Sequence, residues 1–126
     1  MLLFSMNAFS QDISGTYRWS LGDGRDNFEI YLSSKNAIRG TTPTSFKGEH
    51  CGVQLDGRRM DCSSEVVTIS LNKISENIFT GTILSAYSRN IHDIKVTYLP
   101  ATKQIKWEVT NKRPGQIYFP LNVIMD

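Results

Sequence analysis

Gly15-Thr16-Tyr17-Arg18-Trp19-Ser20-Leu21-Gly22-Asp23-Gly24-Arg25-Asp26-Asn27-Phe28-Glu29-Ile30-Tyr31-Leu32 is the stretch whose reading decides the fold. Two runs of alternating apolar and polar residues flank an Asp-Gly pair, the chemistry of a two-residue type I′ hairpin. A turn on Asp23-Gly24 sets Trp19 against Phe28, Tyr17 against Ile30 and Gly15 against Leu32 on one face. The same register sets Arg18 against Glu29 and Thr16 against Tyr31 on the other. One alignment gives an aromatic pair inside and an opposite-charge pair outside, each worth about 0.2–1 kcal/mol. Turn chemistry and both faces agree, as a specified register requires.

Asp56-Gly57 repeats the device in the middle of the chain. A two-residue turn there sets Val53 against Met60 and Cys51 directly opposite Cys62. The chain has 2 cysteines, and this alignment predicts a disulfide between them. The competing reading is a pair of small buried thiols. A redox dithiol would need the close Cys-x-x-Cys spacing, which is absent.

Between the two hairpins, Ser33-Ser34-Lys35-Asn36 reads as a turn and residues 37–42 as a short strand ended by Pro43. Residues 45–55 read as a strand in which Phe46 and Cys51 have opposite parity. A change of face at a Gly48 bulge is therefore expected. Residues 65–72 alternate, with Val67, Ile69 and Leu71 on one face. After a turn at Ser75-Glu76-Asn77, residues 78–87 return, with Phe79 opposite Leu71 and Ile83 opposite Val67. A tight turn at Arg89-Asn90 sets Ile83 against Val96, Tyr98 over Gly81 and Tyr87 against His92. The turn over 100–103 pairs Tyr98 with Ile105, Val96 with Trp107 and Ile94 with Val109 inside, and Lys95 with Glu108 outside. Lys112-Arg113-Pro114-Gly115 is a turn. Residues 116–124 read as the last strand, with Pro120 marking an edge, bulge or seam. No stretch carries a helical period. The expectation is an all-β fold with little or no helix: an antiparallel up-and-down meander closing into a barrel of roughly 8–10 strands.

Composition agrees with one ordered domain. The 126 residues suffice for a modest core, and 40% apolar with 21% charged residues is ordinary for a globular chain. A net charge of +2 with scattered Lys and Arg gives no nucleic-acid footprint. No apolar run reaches the roughly 18 residues of a membrane-spanning helix. Met-Leu-Leu-Phe-Ser-Met-Asn-Ala-Phe-Ser, residues 1–10, reads as the tail of a signal peptide, with Ala8-Phe9-Ser10 as a small-x-small cleavage site. The domain is then 11–126, periplasmic or secreted. The alternative for 1–10 is a buried first element of the domain itself.

Gly15-Thr16-Tyr17-Arg18-Trp19 resembles the Gly-x-Trp signature of lipocalins and the wider calycin group, with two further residues between Gly and Trp. The resemblance implies an up-and-down barrel with the tryptophan plugging one end. The Ala8-Phe9-Ser10-Gln11 junction, Phe79-Thr80-Gly81-Thr82 and the run from Ile105 to Asn111 also resemble small exported proteins of Bacteroidetes-type bacteria. That likeness implies export and barrel shape, and supplies no catalytic residue.

Two histidines, His50 and His92, share no metal-ligand spacing, so no metal or cofactor is expected. A Ser85, His92 and Asp93 grouping fails as a catalytic triad because Asp93 points away from His92. Enzymatic activity is not expected. Small barrels are either packed or hold one small ligand. The expected interior, and the candidate site for a small apolar ligand, comprises Tyr17, Trp19, Phe28, Ile30, Tyr87, His92, Val96, Tyr98 and Trp107. The alternative is a fully packed barrel serving as a structural or protein-interaction module of the cell envelope. A monomer is expected.

Overall fold

The computed structural model of the protein describes residues 12–22, 24–34, 41–63 and 66–126. Among the described residues nine strands follow one another: β1 (Gly15–Ser20), β2 (Asn27–Ser33), β3 (Ser45–Gln54), β4 (Arg59–Cys62), β5 (Ile69–Ser75), β6 (Ile78–Leu84), β7 (Ile91–Leu99), β8 (Gln104–Asn111) and β9 (Asn122–Met125). All pairings are antiparallel, in the order β1-β2-β3-β5-β6-β7-β8-β9. The first and last strands meet through two reciprocal backbone bonds: Arg18 N–H to the Asp126 carbonyl at 2.7 Å, and Asp126 N–H to the Arg18 carbonyl at 2.9 Å. The meander is thus an all-β, nearly closed barrel.

The opening hairpin has the register its faces dictate, with Trp19 opposite Phe28, Tyr17 opposite Ile30 and Arg18 opposite Glu29. Arg18 and Glu29 form an ion pair on the outer face. The turn differs from Asp23-Gly24: Gly24 N–H returns to the Leu21 carbonyl at 2.8 Å and Leu21 N–H bonds the Asp26 carbonyl at 2.9 Å. The connection is therefore longer, although the strand alignment is the same. Asp23 itself lies outside the described residues. The second Asp-Gly forms its tight turn, with positive φ at Asp56 and Gly57 and Arg58 N–H bonded to the Leu55 carbonyl. Opposite it, Val53 faces Met60 and a disulfide joins Cys51 to Cys62. This bond is compatible with an exported protein. Their sequence separation is 11, so reduction should lower the unfolding free energy by about 3 kcal/mol in the loop-closure account. Urea titration with and without reductant checks this.

The β7–β8 hairpin also has its expected register, with Val96 opposite Trp107 and Tyr98 opposite Ile105. Four expectations are corrected. β5 and β6 pair Ile69 with Ile83 and Leu71 with Gly81, two residues from the expected alignment. β6 and β7 pair Ile83 with His92 and Gly81 with Ile94, four residues away, so Tyr98 does not cover Gly81 and Tyr87 does not face His92. Both shifts are even, and an even shift leaves every side chain on its own face, so alternation alone cannot resolve them. β3 has no bulge at Gly48: Phe46, Gly48, His50 and Gly52 alternate inward without a break, and the disulfide lies on the other face. Gly48 is required because a Cβ there would strike the Tyr31 carbonyl oxygen. Finally, residues 116–121 are not strand; only Asn122–Met125 pairs, with β8. The short strand read over 37–42 falls mostly outside the described residues, and Thr41 and Thr42 are not strand.

The core runs along the barrel interior. Phe46 and Phe79 meet edge to face at 5.5 Å between ring centres toward the end where β3 begins. Ile30, Leu32, Ile69, Ile94 and Val96 are buried with them. Tyr17 donates its hydroxyl to the Ile13 carbonyl at 2.9 Å, which fastens residues 12–14 to the interior. Burial, with Tyr98 and Asp12 adding to it, pushes the Tyr17 phenol up to about 12.

Candidate functional site

The topology leaves one gap in the wall. β3 is long enough to take two partners end to end on one edge, β5 on its first half and β4 on its second. β4 pairs with β3 alone. Nothing in the sheet ladder joins β4 to the turn after β6, and buried polar side chains bridge that space instead.

Asp61, on β4, is at the centre. Its carboxylate accepts from His50 Nε2 at 2.9 Å, from the Ser85 hydroxyl at 2.5 Å, from Ala86 N–H at 2.6 Å and from Tyr118 N–H at 3.3 Å. These donors come from β3, from the turn after β6 and from the segment between β8 and β9. Asp61 is 0% exposed. Burial pushes its pKa upward, but the bonds from His50, Ser85 and Ala86 outweigh burial and hold it below the usual carboxylate value. An ionised carboxylate only accepts, so His50 carries a hydrogen on Nε2. His50 Nδ1 is 2.7 Å from the Thr68 hydroxyl, which in turn lies 3.1 Å from the Ser63 hydroxyl.

Hydroxyl, imidazole and carboxylate stand here in the order used for acyl transfer. Their setting makes them a clasp. Thr68 is buried beside Ser63, Leu84 N–H bonds the Thr68 carbonyl, and Ser85 donates to the carboxylate rather than to an imidazole. Every bond in the chain ties one wall element to another.

Residues 112–121 close this end of the barrel. Phe119 enters the interior, stacked on Phe28 at 5.7 Å and edge-on to Trp107, His50 and His92 at 6.4, 5.5 and 6.4 Å. Trp107 Nε1 donates to the Pro120 carbonyl at 3.0 Å. Across the mouth, the Tyr118 carbonyl lies where a Cβ on Gly52 would be, so β3 needs glycine at that point. His92 Nδ1 accepts from Arg113 N–H at 2.9 Å, while its Nε2 is buried with no partner among the described residues. Burial and then Lys112 push the His92 pKa down, with Arg113 adding to them against Asp61 and Asp93.

The expected interior residues divide by burial. Phe28, Ile30, His92, Val96 and Trp107 are buried inside, with Tyr17, while Trp19 and Tyr98 are partly buried against them. Tyr87 is a correction: it is 51% exposed on the turn after β6, edge-on to Tyr118. The even shift of β6 carries residues 85–90 out of the sheet and into that turn. Asp93 does point outward, to Arg113 and Asn111. Sequence reasoning missed His50, Asp61 and Phe119. An unbroken alternation from Phe46 would have placed His50 inside and the cysteines outside, and a buried histidine asks for a partner near it on β4. The described residues also line an open depression of about 770 Å³ where β1 meets β9, bounded by Arg18, Trp19, Ser20, Asn27, Ile124 and Asp126. Among the described residues no group of three or more His, Cys, Asp or Glu is placed to hold a metal ion.

The chain matches no protein-family model, no curated protein and no solved structure.

Proposed function

We propose that this protein is an exported, periplasmic or secreted, non-catalytic interaction module: a packed, lipocalin-like barrel that binds a protein partner through the loops of one end. The observation that carries this reading is a group of exposed apolar side chains at one end of the barrel. Leu21, Leu55, Met60, Tyr87 and Leu121 are each about half exposed or more. They sit on or beside the β1–β2, β3–β4, β6–β7 and β8–β9 connections, which the antiparallel meander gathers at one end. The turns are braced there, with Asp56 N–H bonded to the Asp26 carboxylate at 3.0 Å. A rigid apolar rim on loops is a recurrent form of binding surface. The interior beneath it is occupied by Phe28, Trp107 and Phe119, which favours partner binding over carriage.

The test is site-specific photo-crosslinking in the native cell. A crosslinker at Leu55 or Met60 should trap a discrete protein, whereas one at Ile74, on β5 toward the other end, should not. Equal trapping from all three positions, or from none, defeats the reading. The second reading, carriage of a small apolar ligand, rests on the unpartnered His92 Nε2, for which a ligand acceptor would be a mate. Native mass spectrometry of protein from its own source should find bare polypeptide; a stoichiometric small molecule would install the carrier in its place.

A further inference from the structure

The segment 112–121 is fastened over the barrel mouth by a bond that a proton can break. His92 is the first inward residue of β7 and is 0% exposed. Its Nδ1 accepts the Arg113 N–H at the point where the chain leaves β8 to cross the mouth. An imidazole that accepts at Nδ1 holds its one hydrogen at Nε2. A second proton goes to Nδ1, and two donors then face each other. Proton binding by His92 and the Arg113–His92 bond are therefore mutually exclusive.

We propose that His92 is an acid latch, whose protonation releases residues 112–121 and withdraws Phe119 from the barrel end. The charges around the ring set the direction. Lys112 and Arg113, on the segment itself, repel an imidazolium, whereas Asp61 on β4 and Asp93 on β7 attract it. Neither carboxylate is free to turn to it: Asp61 already accepts from His50, Ser85 and Ala86, and Asp93 from Arg113 and Asn111. His50, on β3, Tyr87 and Arg89, on the turn after β6, and Tyr118 also lie at this end. The remaining ties of the segment are the Arg113–Asp93 ion pair, the bonds from Asn90 Nδ2 to the Pro114 carbonyl, Trp107 Nε1 to the Pro120 carbonyl, Tyr118 N–H to Asp61 and Val109 N–H to the Leu121 carbonyl, and the ring contacts of Phe119 and Tyr118. None of them compensates a charged His92.

The sign follows from linkage. With the mouth open, the imidazole meets water and takes its ordinary value near 6.5. Closed, it binds a proton less well, for the reasons of burial and cationic neighbours already given. The open form therefore gains as pH falls below about 6.5, by up to about tenfold per pH unit until the closed-state value is reached. Above about pH 7.5 there is no effect.

Amide hydrogen exchange read by NMR tests this, with protection factors corrected for the intrinsic rate at each pH. Between pH 7.5 and 5.5, protection at Arg113 and Tyr118 should fall about tenfold, while Ile30 and Glu49 stay unchanged. His92→Gln keeps an acceptor but cannot titrate, and its protection should be flat across that range. Constant protection in the wild type overturns the latch, as does an equal fall in His92→Gln. If that variant does not fold, the wild-type His92 ring resonances decide. The loss of protection must level off at the pH where they titrate, and a plateau unrelated to the His92 titration overturns the proposal.

Discussion

Replacing Asp61 with alanine is expected to lower the unfolding free energy by about 3–5 kcal/mol, the range for removing one member of a buried charged network. The loss would come from the donors left behind more than from one ion pair. His50 Nε2, the Ser85 hydroxyl, Ala86 N–H and Tyr118 N–H all end on this carboxylate, and buried donors without acceptors are costly. Asp61→Asn should be milder, since it keeps one acceptor oxygen in the same place. Acid titration supplies a second readout. The folded-state carboxyl is held below its ordinary value, so its contribution is complete above the unfolded value of about 3.9. It is lost as pH falls from there through the folded value. The wild type should lose stability along that limb, and Asp61→Ala should be flatter there. Urea denaturation at pH 7 and across pH 2–5 measures both. A change under about 1 kcal/mol at pH 7 would show that the gap beside β4 is held by something else.

Phe119→Ala should cost about 3–5 kcal/mol, as for a buried phenylalanine in a core that collapses incompletely. This residue lies outside every strand, in a segment that the sequence pattern reads as strand and turn. A loop aromatic with no core role would cost far less, so the size of the effect tests whether 112–121 is part of the interior. The vacated space would be walled by Phe28, Trp107 and the two histidine rings. Such a cavity should take up benzene, as engineered apolar cavities do. Benzene is therefore expected to raise the melting temperature of Phe119→Ala and leave the wild type unchanged. A small cost and no benzene effect together would place the Phe119 ring outside the core.

The two predictions bear on the proposed function in the same way. A clasped, plugged end presents its loops on a rigid frame, and the apolar rim of Leu21, Leu55, Met60 and Leu121 depends on that frame for its shape. If either tie is removed, crosslinking from Leu55 should weaken along with stability. The acid latch acts on the same end, since it releases the segment that carries Leu121 and Phe119.

How much of this is legible in the sequence follows from what each kind of signal encodes. Strand alternation encodes faces. It placed Phe28, Ile30, His92, Val96 and Trp107 inside and Arg18 with Glu29 outside, and the barrel agrees. Two of the registers, at β3–β4 and β7–β8, followed from short turns with definite chemistry. Where the turn was longer, as at residues 85–90, the register slipped by an even number and the faces survived. The β3 reading went wrong for a different reason. Phe46 and Cys51 have opposite parity, and placing both on one face requires a bulge at Gly48; the strand has none, because the disulfide lies on the other face.

The sequence by itself determined an all-β meander, its inward and outward faces, and the Cys51–Cys62 bond, because these depend on residues close along the chain or aligned by one turn. Only the tertiary structure decided that β3 takes two partners on one edge, that Asp61 bridges the gap this leaves, and that Phe119 closes the barrel. Those contacts join residues far apart in the chain, such as Asp61 with Tyr118. They are selected by the space remaining once the sheet has curled, and no local period records it.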